Sequence, residues 1–542
     1  MKKVLIDIFL IFLLSLTPLL WFRPGEIMVG HDNIFPLDPQ SFLEGRLYTW
    51  SQNKALGQNQ SLIMGSIPIH FIDALPSLLG FSLQTTQKIV YVFWFFLIGL
   101  SVYILASLIN EKSRFFKLFV TVFYQFNFFI LQGWWIGERT KFSAYIALPL
   151  VLSVFLLVYQ RKISILKAAI LNSLILFFFN AGGLFGIPLY GGLFVSVGLF
   201  IVFFFLMSFL QKEYSLAKNL ILVAVLTMVG FLLVNSYYLV PALSQFFGQY
   251  GSRLGGIGGI SGVLAWAQEI SVGASFTNLF RLQGIAEWYD NPQHPYAKYF
   301  LTNPILISIS FIWPLLIFLS LILVRKKREA KYILYFFLVY LVGIFFTAGT
   351  HPPLGLIYQL FVQFIPGFAI FRTPFYKFAP ALFISSAFLC AFTLDYLREK
   401  IGKHKVLTLI FSCFWIFLIL GYHFPYFTGN FFNWRENFST RLKIPQSVFD
   451  FGNWLEKDKK DDSRVLFLPP NNPDWQYDIY KWGYLSLEPL GWLLNKQPLV
   501  YVNSQNLNKE EQPLLELTYK SLINGEKELF ERLAFLLRIK YL

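Results

Sequence analysis

Two acidic residues set just outside apolar stretches are where this chain could do acid–base chemistry. Asp32 stands in Gly30-His31-Asp32-Asn33, soon after the first apolar run. Glu138 stands in the short turn Gly133-Trp134-Trp135-Ile136-Gly137-Glu138-Arg139-Thr140. A carboxylate in such a place can take a proton from a hydroxyl or hold a divalent cation. Two cations, Arg372 and Lys377, lie five residues apart across Pro374, and His351 sits in the turn Gly349-Thr350-His351-Pro352-Pro353. A guanidinium fork and an ammonium point charge are suited to a phosphate. Each group also has a plainer reading. Asp32 beside Asn33 is a good turn former. Glu138 fits an interfacial aromatic belt, paired with Arg139. His351 fits simple surface exposure. Arg372 and Lys377 could snorkel at a span end.

The elements that must position these residues are mostly apolar. The chain has 542 residues, 56% hydrophobic and only 14% charged, with a mean hydropathy of +0.55. A soluble domain carries about a quarter charged residues. Apolar runs recur, each long enough to cross a bilayer at about 20 residues. The pattern predicts an all-α polytopic membrane protein with about eleven transmembrane helices, at 6–22, 87–109, 117–132, 142–160, 164–180, 187–210, 219–240, 304–324, 332–348, 378–396 and 406–421. The first run follows Lys2 and Lys3 and resembles a signal peptide, but Phe22-Arg23-Pro24 is a poor cleavage site, so it reads as a retained helix. Cys390 and Cys413 both fall within apolar spans, and no structural disulfide is expected.

Lys and Arg gather on alternate connections, at Lys112, Arg161, Lys212, Arg325 to Arg328 and Arg398 with their neighbours. The positive-inside rule makes that side cytoplasmic. The N-terminus is then inside and the C-terminus outside. The net charge of +15 is a record of topology, not a nucleic-acid footprint. Three longer loops, about 23–86, 241–303 and 349–377, then face outward, and Ile67–Gly80 reads as amphipathic and interfacial. Residues 1–421 form a transmembrane domain. Residues 422–542 form a small α/β extracytoplasmic segment, possibly truncated. In it Arg464–Leu468 reads as a strand before Pro469-Pro470, and Phe530–Ile539 reads as helix.

Several chemistries are disfavoured. Charged residues are scarce in mid-span, which counts against an ion-coupled transporter. The Gly-rich run 251–259 has no preceding strand and no following Lys-Ser or Lys-Thr, so it is not a nucleotide loop. No zinc-type Cys/His spacing occurs. The outer loops instead hold Asp32, Asp38, Glu44, Asp73, Glu138, Glu269, Glu287 and Asp290, and five of the six histidines.

A long outer loop with an acidic residue after the first span, a second acidic residue between spans three and four, and an outer soluble tail resemble the GT-C superfamily of membrane glycosyltransferases. The stretch Pro36 to Trp50, followed by Gly57-Gln58-Asn59-Gln60-Ser61, is similar to the N-terminal GT-C domain of the α-(1→3)-arabinofuranosyltransferases of cell-wall assembly. Phe371-Arg372-Thr373-Pro374 with Lys377 also resembles segments of these proteins and of YfhO-like membrane proteins. The chain departs from the pattern in having Ile136 where an acidic-x-acidic pair would start, and in being shorter than the arabinofuranosyltransferases.

The resemblance implies transfer of a sugar, possibly arabinofuranose, from a polyprenyl-phosphate donor to a cell-envelope glycan or lipid acceptor on the outer face of the cell membrane. Asp32 would be the base and Glu138 would help position the acceptor or a divalent cation, so both are expected to be catalytic. Arg372, Lys377 and His351 would bind the donor phosphate, and the apolar spans would hold the polyprenyl chain. The partners are then membrane lipid, donor and acceptor, and no nucleic acid. The alternative is a non-catalytic membrane protein that binds or moves a lipid-linked glycan.

Overall fold

The structure is a computed structural model. It describes residues 2–31, 35–51, 56–245, 259–289, 294–323, 327–402, 404–434, 438–457, 463–468, 478–486, 494, 499–500 and 511–542. The Gly-rich run 251–258, Asp290, Arg325, Lys326 and Pro469-Pro470 lie outside the described residues.

Apolar runs became helices throughout. The chain enters by α1 (Lys2–Leu14) and a 3₁₀ turn at Thr17–Trp21. The segment after that turn carries α2 (Pro39–Arg46) and α3 (Ile67–Leu78). Next come α4 (Leu83–Ile109), α5 (Arg114–Gln125), α6 (Phe128–Ile136), α7 (Arg139–Tyr159), α8 (Ile165–Phe178), α9 (Gly191–Leu210) and α10 (Tyr214–Val234). Shorter pieces follow as α11 (Ser236–Gln245), α12 (Gly259–Ile270), α13 (Phe276–Phe280) and α14 (Ala297–Thr302). The second half holds α15 (Pro304–Ser310), α16 (Ile312–Leu323), α17 (Lys327–Ala348), α18 (Gly355–Phe364), α19 (Pro374–Ile401) and α20 (Lys405–Tyr422).

Among the described residues ten helical segments are long and apolar enough to cross a membrane, or eleven if the bent pair α5–α6 counts as one span. The architecture is therefore the expected all-α polytopic one, with two local differences. Ser61–Leu78, read from sequence as interfacial, qualifies by length and apolarity. The run read as 164–180 is helical only over the 14 residues of α8. At 1.5 Å per residue that is about 21 Å, short of the roughly 30 Å hydrocarbon core. Its helix stops because Asn180-Ala181-Gly182-Gly183 follows, with Ala181, Gly182 and Gly183 all at positive φ.

The central helix is α19, buried along nearly its whole length from Pro374 to Asp395. Around it pack α5, α9, α16 and α17. In lipid, apolar side chains gain little by meeting one another, so helix contact depends on close van der Waals fit and small residues. Gly192 at the start of α9 shows this. A Cβ there would come within 2.8 Å of Pro380 Cβ on α19. The outer faces of α10 and α20 expose Leu232, Leu233, Val406 and Phe417, as lipid-facing surfaces should. At the end of α5 remote from α6, Asp7 accepts from Arg114 and Tyr103, and Asp395 accepts from Asn110 and Ser113 and pairs with Arg398. Those buried carboxylates are satisfied and tie the helices together.

After α20 the chain folds back onto the segment that follows the Thr17–Trp21 turn. It forms α21 (Pro425–Thr428), and the strand Arg441–Leu442 pairs antiparallel with Ile27–Met28. Arg441 meets Glu26 at 3.1 Å and donates to Trp21 O, while Trp21 Nε1 donates to Tyr426 O. Farther on, α22 (Gln446–Lys457), α23 (Gln512–Ile523) and α24 (Lys527–Leu536) accompany a parallel three-stranded sheet, 499–500, 464–466 and 539–541 in order. This is a small α/β unit, but the helix read at Phe530–Ile539 runs Lys527–Leu536 with Ile539 opening a strand, and the strand read at Arg464–Leu468 stops at Leu466.

Candidate active site

The Glu138 turn is fixed by the residues on both sides of it. Asn127 breaks the apolar run. Its side chain accepts from Ile130 N and donates to Tyr124 O, so α5 ends, α6 restarts and the axis bends by 40°. Gly137 then ends α6 in a left-handed conformation, φ +77°, with its N–H on Gly133 O. Few residues but glycine adopt that backbone cheaply. The next residue, Glu138, is already the N-cap of α7. No mobile linker separates the two helices.

Around this turn the structure gathers two charged clusters. In the first, Glu138 pairs with Lys141 at 2.8 Å, the lysine being 2% exposed and the glutamate 16%. Lys141 Nζ also lies 5.4 Å from the Phe129 ring centre and 5.1 Å from that of Tyr376. The Tyr376 hydroxyl in turn donates to Glu287. In the second, Arg139 meets Asp73 of α3 at 2.8 Å, with both buried. Arg139 also donates to Gly137 O and lies over the Phe35 ring. His70 Nδ1 is 3.7 Å from the same Asp73 oxygen. Two cations in the first turn of α7 would oppose the helix dipole, and the two carboxylates offset them.

Asp32 lies outside the described residues. Its neighbour His31 is placed, however, and donates its backbone N–H to Ile136 O at 3.0 Å, two residues before Glu138. The His31 ring stacks on Trp135 and meets Trp434 edge-on. His294 stands edge-on to Trp135, fully buried, and burial pushes its imidazole down to about 4. That ring is neutral at physiological pH. His31, Trp135, His294 and Trp434 thus join the segment before α2, the end of α6, the segment before α14 and the short strand Asn433–Trp434.

The segment that carries the family resemblance folds compactly beside this site. Asp38 caps α2, accepting from Ser41 N. Trp50–Ser51 pairs with Gln58–Asn59, and Gln60 Nε2 donates to Tyr48 O at 2.7 Å while Gln60 Oε1 accepts from Arg46. Phe42 of α2 packs edge-on against His70 of α3.

Of the phosphate candidates, Arg372 is exposed at the end of a 3₁₀ turn, Phe368–Phe371, just before α19. Lys377 is half-buried in the first turn of α19, directly after Tyr376. His351 is half-buried in a turn whose Gly349 lies against Pro374. Through Tyr376 and Lys141 the start of α19 therefore reaches the Glu138 turn. Sequence reasoning named Asp73 and Glu287 only as outer carboxylates and overlooked Lys141 and Tyr376. Its one available signal was the three-residue spacing of Glu138 and Lys141 at a helix start. Among the described residues no three His, Cys, Asp or Glu gather as a metal centre would need.

No protein-family model matches the chain, and no curated protein matches it in sequence. Solved structures do match in fold. The cryo-EM structure of the arabinofuranosyltransferase AftD from mycobacteria superposes with a TM-score of 0.64 over 96% of this chain, at 15% identity. A mutant form of the same protein, R1389S, gives 0.54 over 95%, also at 15% identity. The oligosaccharyltransferase of Archaeoglobus fulgidus reaches only 0.46 at 12% identity. The chain has a GT-C-like fold. It spans about a third of the length of the AftD chain, 33% in the first of these superpositions.

Proposed function

We propose that this chain is a membrane glycosyltransferase that moves a sugar, arabinofuranose being the first candidate, from a polyprenyl-phosphate donor to a glycan or lipid acceptor of the cell envelope. The observation that carries this reading is the likeness to AftD over nearly the whole chain, with the Glu138 turn held against the first outer loop. In the proposed step the acceptor hydroxyl attacks the anomeric carbon. The new glycosidic C–O bond forms as the bond from that carbon to the phosphate oxygen breaks. Asp32 takes the hydroxyl proton, and polyprenyl phosphate leaves with its charge stabilised by cations. Glu138 aligns the acceptor, or a divalent cation beside it.

The site belongs to the outer face of the cell membrane, with the N-terminus cytoplasmic and the C-terminus extracytoplasmic. The Lys and Arg asymmetry supports this. A cysteine placed at Asn291 in a Cys413→Ser background should react with a membrane-impermeant maleimide in intact cells. Reaction only after permeabilisation would reverse the orientation.

Arg372 and Lys377 are assigned to the donor phosphate. Pro374, at the first position of α19, keeps the preceding residue Thr373 out of the helix, so the two cations do not lie along one regular helix. A phosphate there gains a forked contact from Arg372 and a point charge from Lys377. Arg372→Ala should raise the apparent KM for the polyprenyl-phosphate sugar more than Arg372→Lys does, with acceptor dependence unchanged. Steady-state kinetics with varied donor measures this, and an unchanged donor KM in both variants would leave Arg372 as a span anchor.

A further inference from the structure

We infer that Lys141 is a positioning residue, which holds the Glu138 carboxylate in its working orientation as the middle of a buried link from Glu138 to Glu287. The inference rests on the proposed transferase reading and adds to it a residue that the reading did not use. Lys141 is 2% exposed, and a buried ammonium is costly unless it is paired. Its ion partner among the described residues is Glu138, at 2.8 Å. Its remaining surroundings are the faces of Phe129 and Tyr376, each within about 6 Å, the range in which a ring face attracts a cation. Tyr376 is held in turn, because its hydroxyl donates to Glu287 in the 3₁₀ turn Ala286–Trp288.

Four elements therefore meet around Lys141: the start of α6 through Phe129, the start of α7 through Glu138, the start of α19 through Tyr376 and, beyond Tyr376, the Ala286–Trp288 turn. Glu138 as N-cap makes no side-chain hydrogen bond to the free backbone N–H groups of α7. The residues that usually cap a helix from this position are Ser, Thr, Asp and Asn, not Glu. Here the side chain is drawn toward Lys141 instead. A salt bridge on the open surface is worth little. This one is nearly dry on the lysine side, so it constrains the carboxylate more strongly. Displacing a reacting or aligning group by about 1 Å can cost up to about 100-fold in rate.

The test is a double-mutant cycle on purified full-length protein, with size exclusion and thermal unfolding as checks of folding. Lys141→Met should lower kcat at least about tenfold while the KM for the donor changes less than about twofold. Lys141→Arg should recover most of the rate. In the Glu138→Gln background, Lys141→Met should cost little more, because Lys141 acts through the group already lost. Multiplicative losses in the double mutant, or an unchanged kcat in Lys141→Met, would overturn the inference. If Lys141→Met does not fold, Lys141→Gln takes its place in the same cycle. A wild-type protein that transfers no sugar from any donor would instead remove the transferase reading, and this role with it.

Discussion

Replacing Asp32 by Asn should lower sugar transfer by about 100-fold or more, the usual share of a general base, while the melting temperature changes little. Asn keeps the size and polarity of Asp but cannot accept the acceptor's proton at neutral pH. The argument for Asp32 is one of chain adjacency. His31 is tied to Ile136 at the end of α6, and Gly137 delivers Glu138 at once to the start of α7. His31 and Glu138 are therefore tethered to the same corner of the fold, and Asp32 is the next residue in the sequence after His31. Initial rates at saturating donor, set beside thermal unfolding of the same preparations, would decide the matter. Full activity in Asp32→Asn would remove Asp32 from the mechanism.

The largest structural effect should come from Arg139→Met. Asp73 is 1% exposed and Arg139 4%, so removing the arginine strands a buried carboxylate. Breaking such a pair from one side costs about 3–5 kcal/mol. That is a large part of the roughly 5–15 kcal/mol that holds a typical domain folded. Arg139 also donates to Gly137 O, so the turn that presents Glu138 should loosen as well. Arg139→Met should therefore express poorly or unfold at a clearly lower temperature. The double variant Asp73→Leu with Arg139→Met should recover much of the loss, since replacing both partners removes the stranded charge. Equal melting temperatures for the wild type and Arg139→Met would mean that the pair does not support the loop.

The sequence made the membrane architecture readable because spans are decided by long apolar runs, a local property. It was less decisive where local signals conflict. Ile67–Gly80 reads as amphipathic and interfacial, while Ser61–Leu78, helical around Pro68 and Pro76, is also long and apolar enough to qualify as a span. The run at 164–180 looked long enough to span, but Asn180 to Gly183 turn the chain before a full crossing. Glu138 was legible because Gly137 after an apolar run marks a helix end. Its surroundings were not. Tyr376 and Glu287 are 89 positions apart, and Arg139 and Asp73 are 66 apart. Such pairs are made by helix packing, which no periodicity announces. The same holds for His294, which lies in a polar loop and yet is fully buried against Trp135.

The central claim is that the outer carboxylates serve glycosyl transfer from a lipid-phosphate donor. The most direct measurement is transfer by the purified full-length chain in detergent or nanodiscs, using a panel of radiolabelled polyprenyl-phosphate sugars and cell-envelope glycan or lipid acceptors. The account predicts release of polyprenyl phosphate matched mole for mole by labelled acceptor, and loss of both in Asp32→Asn. Binding of the lipid-linked sugar with no product from any donor would contradict it and leave a protein that binds or moves the lipid-linked glycan without transferring it.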